Sequence, residues 1–361
     1  MDIAFFGSSL LSAYWNGAAT YYRGILKELA ALGHRVTFYE PDAYGRQQHR
    51  DIEAPSWARV VVYAATQDGV ERALEHARGA DALVKASGVG VFDDLLEAAV
   101  SAGGRPRRLA IFWDVDAPAT LDGMAADPAH PLRARLPGFD MVLTYGGGAP
   151  VTEAYRRLGA KVCVPVYNAL DPETHHPVAP DPARASDLCL IANRLPDREA
   201  RIDEFFLDAA RRLPDQRFLL GGSGWEDKAV PANVIRLGHV YTADHNVLNC
   251  SARMVLNVNR ESMARWGFSP PTRVFEAAGA AACLISDSWP GLDLFLEPGR
   301  EVLVATSGDE VAALLASVPS DTARRIGAAA RRRVVAEHSY SRRAAQVDAL
   351  LRGGRVERRA V

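Results

Sequence analysis

Two α/β domains, each a doubly wound parallel sheet, are predicted by three features of this chain. Short apolar runs alternate with stretches of helical period along its whole length. Loops rich in glycine, serine and aspartate recur directly after the apolar runs, where sheets of this kind place their ligands. A proline-rich, aperiodic stretch at 168–186 separates two halves of similar size. A chain of 361 residues is long enough for two domains, each with its own core. The spans that follow are an N-terminal domain at 1–167, a linker at 168–186 and a second domain at 187–338. A terminal helix at 339–352 and a basic tail at 353–361 complete the chain.

The elements justify that reading in order. Residues 2–6 are a buried strand ending in Gly7-Ser8-Ser9, with no basic leader before it. A loop through Tyr14, Trp15 and Asn16 leads to an amphipathic helix at 18–32, which Gly33 stops before the strand 36–39. Strand, glycine-serine loop, helix, strand is a βαβ unit, yet no GxGxxG follows the first strand, which argues against a nicotinamide-dependent dehydrogenase. The loop's aromatic residues either hold an acceptor or pack over the sheet edge. Strands at 60–63, 82–85, 109–113, 141–145 and 162–164 alternate with helices at 68–78, 92–102 and 151–158. Ser87-Gly-Val-Gly90, Asp114-Val-Asp116 and Gly146-Gly-Gly148 all fall at strand ends.

The stretch at 168–186 carries His175 and His176, which without ligand partners nearby read as solvated residues of the linker rather than metal ligands. The second half repeats the alternation, with strands at 187–191, 218–220 and 255–258 and helices at 197–212 and 244–250. Gly221-Gly-Ser-Gly224 closes one strand with a flexible turn, and His239-Val240 follows another apolar run. Helices at 311–315, 323–336 and 341–351 end the pattern. In the last, Tyr340, Ala344, Val347 and Leu351 share one face, which fits a helix crossing back to the N-terminal domain.

Composition narrows the function classes. Hydrophobic content of 48% and charged content of 24% are those of an ordinary globular protein. A formal net charge of -2 gives no electrostatic case for a nucleic-acid or anionic-membrane partner. No apolar run reaches membrane-spanning length. Four scattered cysteines without a CxxC pair are expected to be reduced and mostly buried, which suits the cytoplasm.

The chemistry concentrates between Trp266 and Asp287. Gly267, Ser269, Pro270 and Pro271 signal a loop opening a helix, with Ser269 as an N-cap candidate. A helix N-terminus at a strand end offers N–H groups and partial positive charge to a phosphate. Arg273 and Glu276 then either meet a diphosphate and a ribose diol, or pair with each other at i,i+3 on the surface. Thr-Arg-Val-Phe-Glu-Ala-Ala-Gly at 272–279, an apolar strand ending in Ser286-Asp287, and Leu-Phe-Leu-Glu-Pro-Gly-Arg-Glu-Val-Leu-Val at 294–304 resemble the nucleotide-sugar half of GT-B glycosyltransferases. Within that group the chain looks most like the family related to the spore maturation protein CgeB. The similarity extends over most of the chain and is strongest at 257–304.

That resemblance implies two Rossmann-like domains facing a cleft, and metal-independent transfer of a sugar from a nucleoside-diphosphate sugar to an acceptor. No cofactor is expected and no metal ligand is assigned. On the sugar-donor side it implies Arg273 and Glu276, together with one of Arg194 and Arg198 on the diphosphate. Gly222 and Ser223 approach the nucleotide, and His239 sits beside its base. The acceptor-side candidates are Ser8, Tyr14, Trp15 and Asn16, from the loop after the first strand. Asp114 and Asp116 lie in a Trp-Asp-x-Asp-Ala-Pro segment at 113–118 as catalytic carboxylates, one of them a general base. Asp116 is also an N-cap candidate, and the DxD spelling alone would suit a divalent cation. Two departures stand out. Phe268 occupies the position eight residues before Glu276 where many relatives carry a first Glu, and Ala281 replaces a frequent glycine, implying a less tight turn. The rival readings are a nucleotide-sugar epimerase or hydrolase on the same fold, and a non-catalytic nucleotide-sugar-binding protein.

Overall fold

Parallel strands with both faces covered read as near-continuous Val, Ile, Leu and Phe, and these runs become the two sheets of the molecule. The computed structural model describes residues 1–102 and 108–353. Contacts divide them into one unit of Met1–Asn168 with the chain from Tyr340 on, and a second of Ala169–Ser339.

The first unit runs β1 (Asp2–Phe6), α1 (Ala19–Ala31), β2 (Arg35–Asp42), β3 (Ala58–Ala64), α2 (Gln67–His76), β4 (Ala82–Ala86) and α3 (Asp93–Ser101). It continues through β5 (Leu109–Asp114), α4 (Ala117–Ala126), α5 (Pro131–Arg135), β6 (Met141–Thr144), α6 (Gly148–Arg157) and β7 (Cys163–Pro165). Its seven strands lie in the order β3-β2-β1-β4-β5-β6-β7, all parallel. Reversal of strand order beside β1 makes a crevice at the carboxyl ends of β1 and β4.

The second unit runs β8 (Ser186–Ile191), then α7 (Pro196–Ile202), which passes through a π-helical turn, Asp203–Leu207, into α8 (Asp208–Arg212). Next come β9 (Phe218–Gly221), β10 (Val234–Gly238), α9 (Thr242–Ser251), β11 (Ala252–Asn257), α10 (Glu261–Trp266) and α11 (Thr272–Gly279). β12 (Leu284–Asp287), β13 (Leu303–Ala305), α12 (Gly308–Ser317) and α13 (Ser320–Glu337) finish it. Its sheet order, β10-β9-β8-β11-β12-β13, is again parallel, with the switch between β8 and β11. A core built on Leu188, Leu190, Phe206, Phe218, Met254 and Ile285 fills one face of that sheet.

The last described helix, α14 (Tyr340–Leu351), lies on α1. Gly24 makes the approach possible, because a Cβ there would stand 2.1 Å from the Tyr340 ring. His34 Nε2 reaches Asp348 Oδ1 at 2.8 Å, and Gln346 donates to the Pro165 carbonyl at 3.0 Å. Of the tail expected at 353–361, only Gly353 is among the described residues.

Three expectations change. The stretch at 168–186 is not a solvated linker throughout: Leu170 and His175 are each 1% exposed, and Leu170 bridges to Ser339 within the second unit. Ser269 is not the N-cap of α11; its hydroxyl donates to the Gly267 carbonyl, and Pro271 holds the cap position. The turn before β12 keeps its tightness without glycine, since Ala281 adopts φ +59°. All four cysteines are free, three buried and Cys250 half-buried. No helix among the described residues is long and apolar enough to cross a membrane.

Candidate active site

In the second unit the strand ends beside the switch carry a connected polar layer. Glu276 stands in the second turn of α11, 7% exposed. Burial opposes its ionisation, but His175, then His245 and Arg273, outweigh that and hold its carboxyl below the usual range. His175 is itself pushed down by burial, with the Glu276 carboxylate opposing, and Arg273 is the cation of the group that does not titrate. Arg273 donates to Asn257 Oδ1 at 3.2 Å, at the carboxyl end of β11. The surface i,i+3 pair therefore does not describe Arg273 and Glu276: one is anchored on a strand end, the other among histidines.

Asp287, at the end of β12, is fully buried and receives Arg201 Nη2 at 2.7 Å and the Asn259 N–H at 3.1 Å. Burial raises its carboxyl, with Arg201 opposing. Asn257 Nδ2 ties this layer together, donating to Asn259 Oδ1 at 3.0 Å and Ser286 Oγ at 3.1 Å. Arg201, Asn257 and Asn259 were not singled out in the sequence. Asn257 alone carried a signal, as a polar residue closing an apolar strand.

The two arginines after β8 separate. Arg194 grips Glu199 through two 2.8 Å bonds and Asp227 through a third, and Lys228 joins Glu199 at 2.7 Å. Hydrogen bonds from Arg194, then Lys228, hold the Glu199 carboxyl down at about 2. The Arg194 guanidinium is thus engaged on both edges within the unit, while Arg198 is half-buried in α7. Gly222 has φ +120°, and a Cβ there would lie 2.1 Å from the Ala192 carbonyl oxygen, so only glycine fits. That turn sets the Ser223 N–H on Asn193 Oδ1 at 2.9 Å and Ser223 Oγ 3.2 Å from His239 Nδ1. His239 packs edge-on against Tyr241, which is exposed.

In the first unit Asp114 ends β5 with no exposure. Oδ1 accepts from Ser87 Oγ at 2.6 Å, the Asp116 N–H at 2.9 Å and Thr120 Oγ1 at 3.1 Å, while Oδ2 accepts from the Tyr155 hydroxyl. Burial raises its carboxyl against those bonds. Asp114 thus organises the strand end, and the DxD does not present two open carboxylates to an ion. Asp116, half-buried, occupies the N-cap position of α4, and its side chain makes no cap bond there.

The acceptor-side residues divide as well. Ser8 and Asn16 are buried and bonded to each other at 2.9 Å, and Asn16 Nδ2 also donates to the Ser9 and Ser12 carbonyls. They shape the loop from within. Glu40, fully buried on β2, holds the same loop through the Leu10 N–H at 2.6 Å and Ser9 Oγ at 3.1 Å. Tyr14 stacks on His49 with centroids 4.1 Å apart, and Trp15, at φ +48°, is 41% exposed.

Two parallel sheets of order 3-2-1-4-5-6, the first extended by a seventh strand, each with a polar layer at the carboxyl ends, decide the architecture. The fold is that of the GT-B glycosyltransferases. Residues 198–349 match the family model described as "Glycosyl transferase-like". Sucrose-phosphate synthase from Thermosynechococcus elongatus is similar at 16% identity, covering 98% of each chain with a TM-score of 0.72. Anabaena HepE in complex with UDP-glucose is similar at 14% identity, covering 98% of this chain and 100% of its own, TM-score 0.70. An alpha-glucosyltransferase in complex with UDP covers 98% and 100% at 10% identity, TM-score 0.72, and was also solved with UDP and a 13-mer DNA. No curated protein matches the chain.

Proposed function

We propose that this protein is a glycosyltransferase that moves a sugar from a nucleoside-diphosphate sugar to an acceptor, with no metal in the chemistry. The observation that carries the reading is Glu276, an ionised carboxylate on α11 beside the β8–β11 switch, with the Arg273 cation anchored on Asn257 one turn away. A ribose diol is a natural donor to such a carboxylate, and charge-assisted bonds of this kind are short and strong. Arg198 and the amino end of α11 would oppose the charge gathering on the departing diphosphate. The first unit would hold the acceptor, with Trp15 as an apolar platform and Asp116 as general base. A uridine nucleotide is the first candidate, because HepE and the alpha-glucosyltransferase were solved with UDP-glucose or UDP. A hexose as the transferred sugar, a CgeB-like relationship and a cytoplasmic location belong to the same proposal.

The test is a thermal-shift screen of UDP-, GDP- and dTDP-sugars, followed by product analysis with the stabilising donor and a panel of acceptors. A new glycosidic bond formed only with acceptor present is the expected result. Free sugar or an epimer as sole product would overturn transfer in favour of a hydrolase or epimerase, and tight binding without turnover would favour a binding protein.

A further inference from the structure

We propose that His175, His245 and Glu276 form a binding site for a single divalent transition-metal ion of the Zn²⁺ type. The three residues come from the stretch before β8, from α9 and from α11, all within the second unit. His175 Nε2 lies 4.0 Å from Glu276 Oε1, and His245 Nδ1 lies 3.7 Å from Glu276 Oε2. One ligand atom from each residue falls within 4.8 Å of the other two. Zn²⁺ bound at about 2.0–2.2 Å in a tetrahedron holds its ligand atoms roughly 3.3–3.5 Å apart. Closure therefore needs the ligand atoms to draw together by about an ångström.

Two imidazoles and a carboxylate, with a fourth position open, are a set this class of ion takes readily. Mg²⁺ and Ca²⁺ prefer oxygen ligands and are disfavoured here. An independent observation points the same way. His175 is 1% exposed, yet its Nε2 makes no hydrogen bond, and 4.0 Å to a carboxylate oxygen is too long for one. A buried ring nitrogen aimed at two other ligating groups is what an ion would satisfy.

The surroundings hold this arrangement in register. Asn246, next to His245, donates to the Thr174 carbonyl at 2.8 Å and accepts from the His176 N–H at 3.2 Å, gripping the chain on both sides of His175. Gly279, one turn beyond Glu276, lets the segment dock on α11: a Cβ there would stand 2.8 Å from the His175 carbonyl oxygen. The opposing group is Arg273, whose positive charge near Glu276 penalises any cation. Asp171 offsets part of it on the His175 side. If Glu276 also takes the ribose, as the donor reading has it, ion and nucleotide exclude one another at this carboxylate.

The experiment is a Zn²⁺ titration of the full chain, stripped with chelator and dialysed, against a chromophoric competitor. One equivalent is expected to bind, at least tenfold more weakly in His245→Ala and in Glu276→Gln. Co²⁺ in place of Zn²⁺ should give visible d–d bands with no thiolate charge-transfer band. No stoichiometric uptake, equal uptake by His245→Ala, or a thiolate band would each overturn the site. Should His245→Ala melt earlier than wild type without metal, His245→Gln, of larger volume and still polar, repeats the comparison. Zn²⁺ uptake without nucleotide binding would leave this site standing and remove the donor assignment; nucleotide binding without Zn²⁺ uptake would do the reverse.

Discussion

Replacing Glu276 with Gln tests the carboxylate on which the functional reading turns. The side chain keeps its size, and Arg273 keeps its bond to Asn257, so the fold is expected to survive. What is lost is a charged acceptor for the ribose hydroxyls. Hydrogen bonds to a charged group contribute about 1.5–3 kcal/mol, which corresponds to roughly a 10- to 150-fold weaker Kd. Calorimetry with UDP and 2′-deoxy-UDP separates this from a general disturbance. Wild type should prefer UDP, and Glu276→Gln should lose most of that preference, because only the diol is meant to touch the carboxylate. Stability gives an internal check. The folded carboxyl is held below its ordinary value of 4.5, so its stabilisation is complete above about pH 4.5 and lost as pH falls through the lower, folded value. The stability margin of wild type over the variant should therefore shrink as acid is added below pH 4.5. Equal affinity of both proteins for UDP would refute the reasoning.

The remaining predictions concern the carboxylates, the metal and the backbone. Asp114→Asn, which sets an amide where four donors converge, should cost about 2–4 kcal/mol in chemical unfolding, whereas Asp116→Asn should depress kcat with an unchanged melting temperature. EDTA should leave most of the transfer activity; strict Mn²⁺ or Mg²⁺ dependence would contradict a diphosphate held by arginine and a helix terminus. Gly24→Ala drives a methyl into the Tyr340 ring and should cost about 1–3 kcal/mol, with faster proteolysis near 340. Ala281→Gly removes a left-handed alanine worth about 1–2 kcal/mol of strain at a glycine entropy cost of about 0.5–1 kcal/mol, so a melt should show it neutral to slightly more stable.

The alternation of buried strands and helices was legible because parallel strands need apolar side chains on both faces, and Phe5, Ile111, Leu190 and Ile285 all sit at such positions. α10, at six residues, was too short to show a period and went unread. The position of Glu276 was legible through its resemblance to a known motif, but its neighbours were not. His175 lay in a proline-rich stretch that reads as solvated, and its burial depends on Gly279 and Asn246, far along the chain. Arg194 looked free because Asp227, which draws it away, stands 33 residues on. Asp114 looked catalytic because spelling does not reveal depth: its four partners come from the end of β4, from the start of α4 and from α6.

The seating of α14 on α1 bears on how the protein is made. The first unit is not contiguous in the chain: the whole of Ala169–Ser339 is synthesised between Asn168 and Tyr340. At about 5–20 residues per second, the α1 surface around Gly24 and His34 emerges and waits on the order of ten seconds or more before Tyr340 and Asp348 exist to cover it. During that interval the second unit can finish folding while the first still lacks one helix. Nascent chains stalled just before Tyr340 should accordingly show a protease-resistant second unit and a first unit that protease still opens. A chaperone recognising exposed aromatic surface would find it on α1, next to Tyr21, and lose it when the last helix arrives.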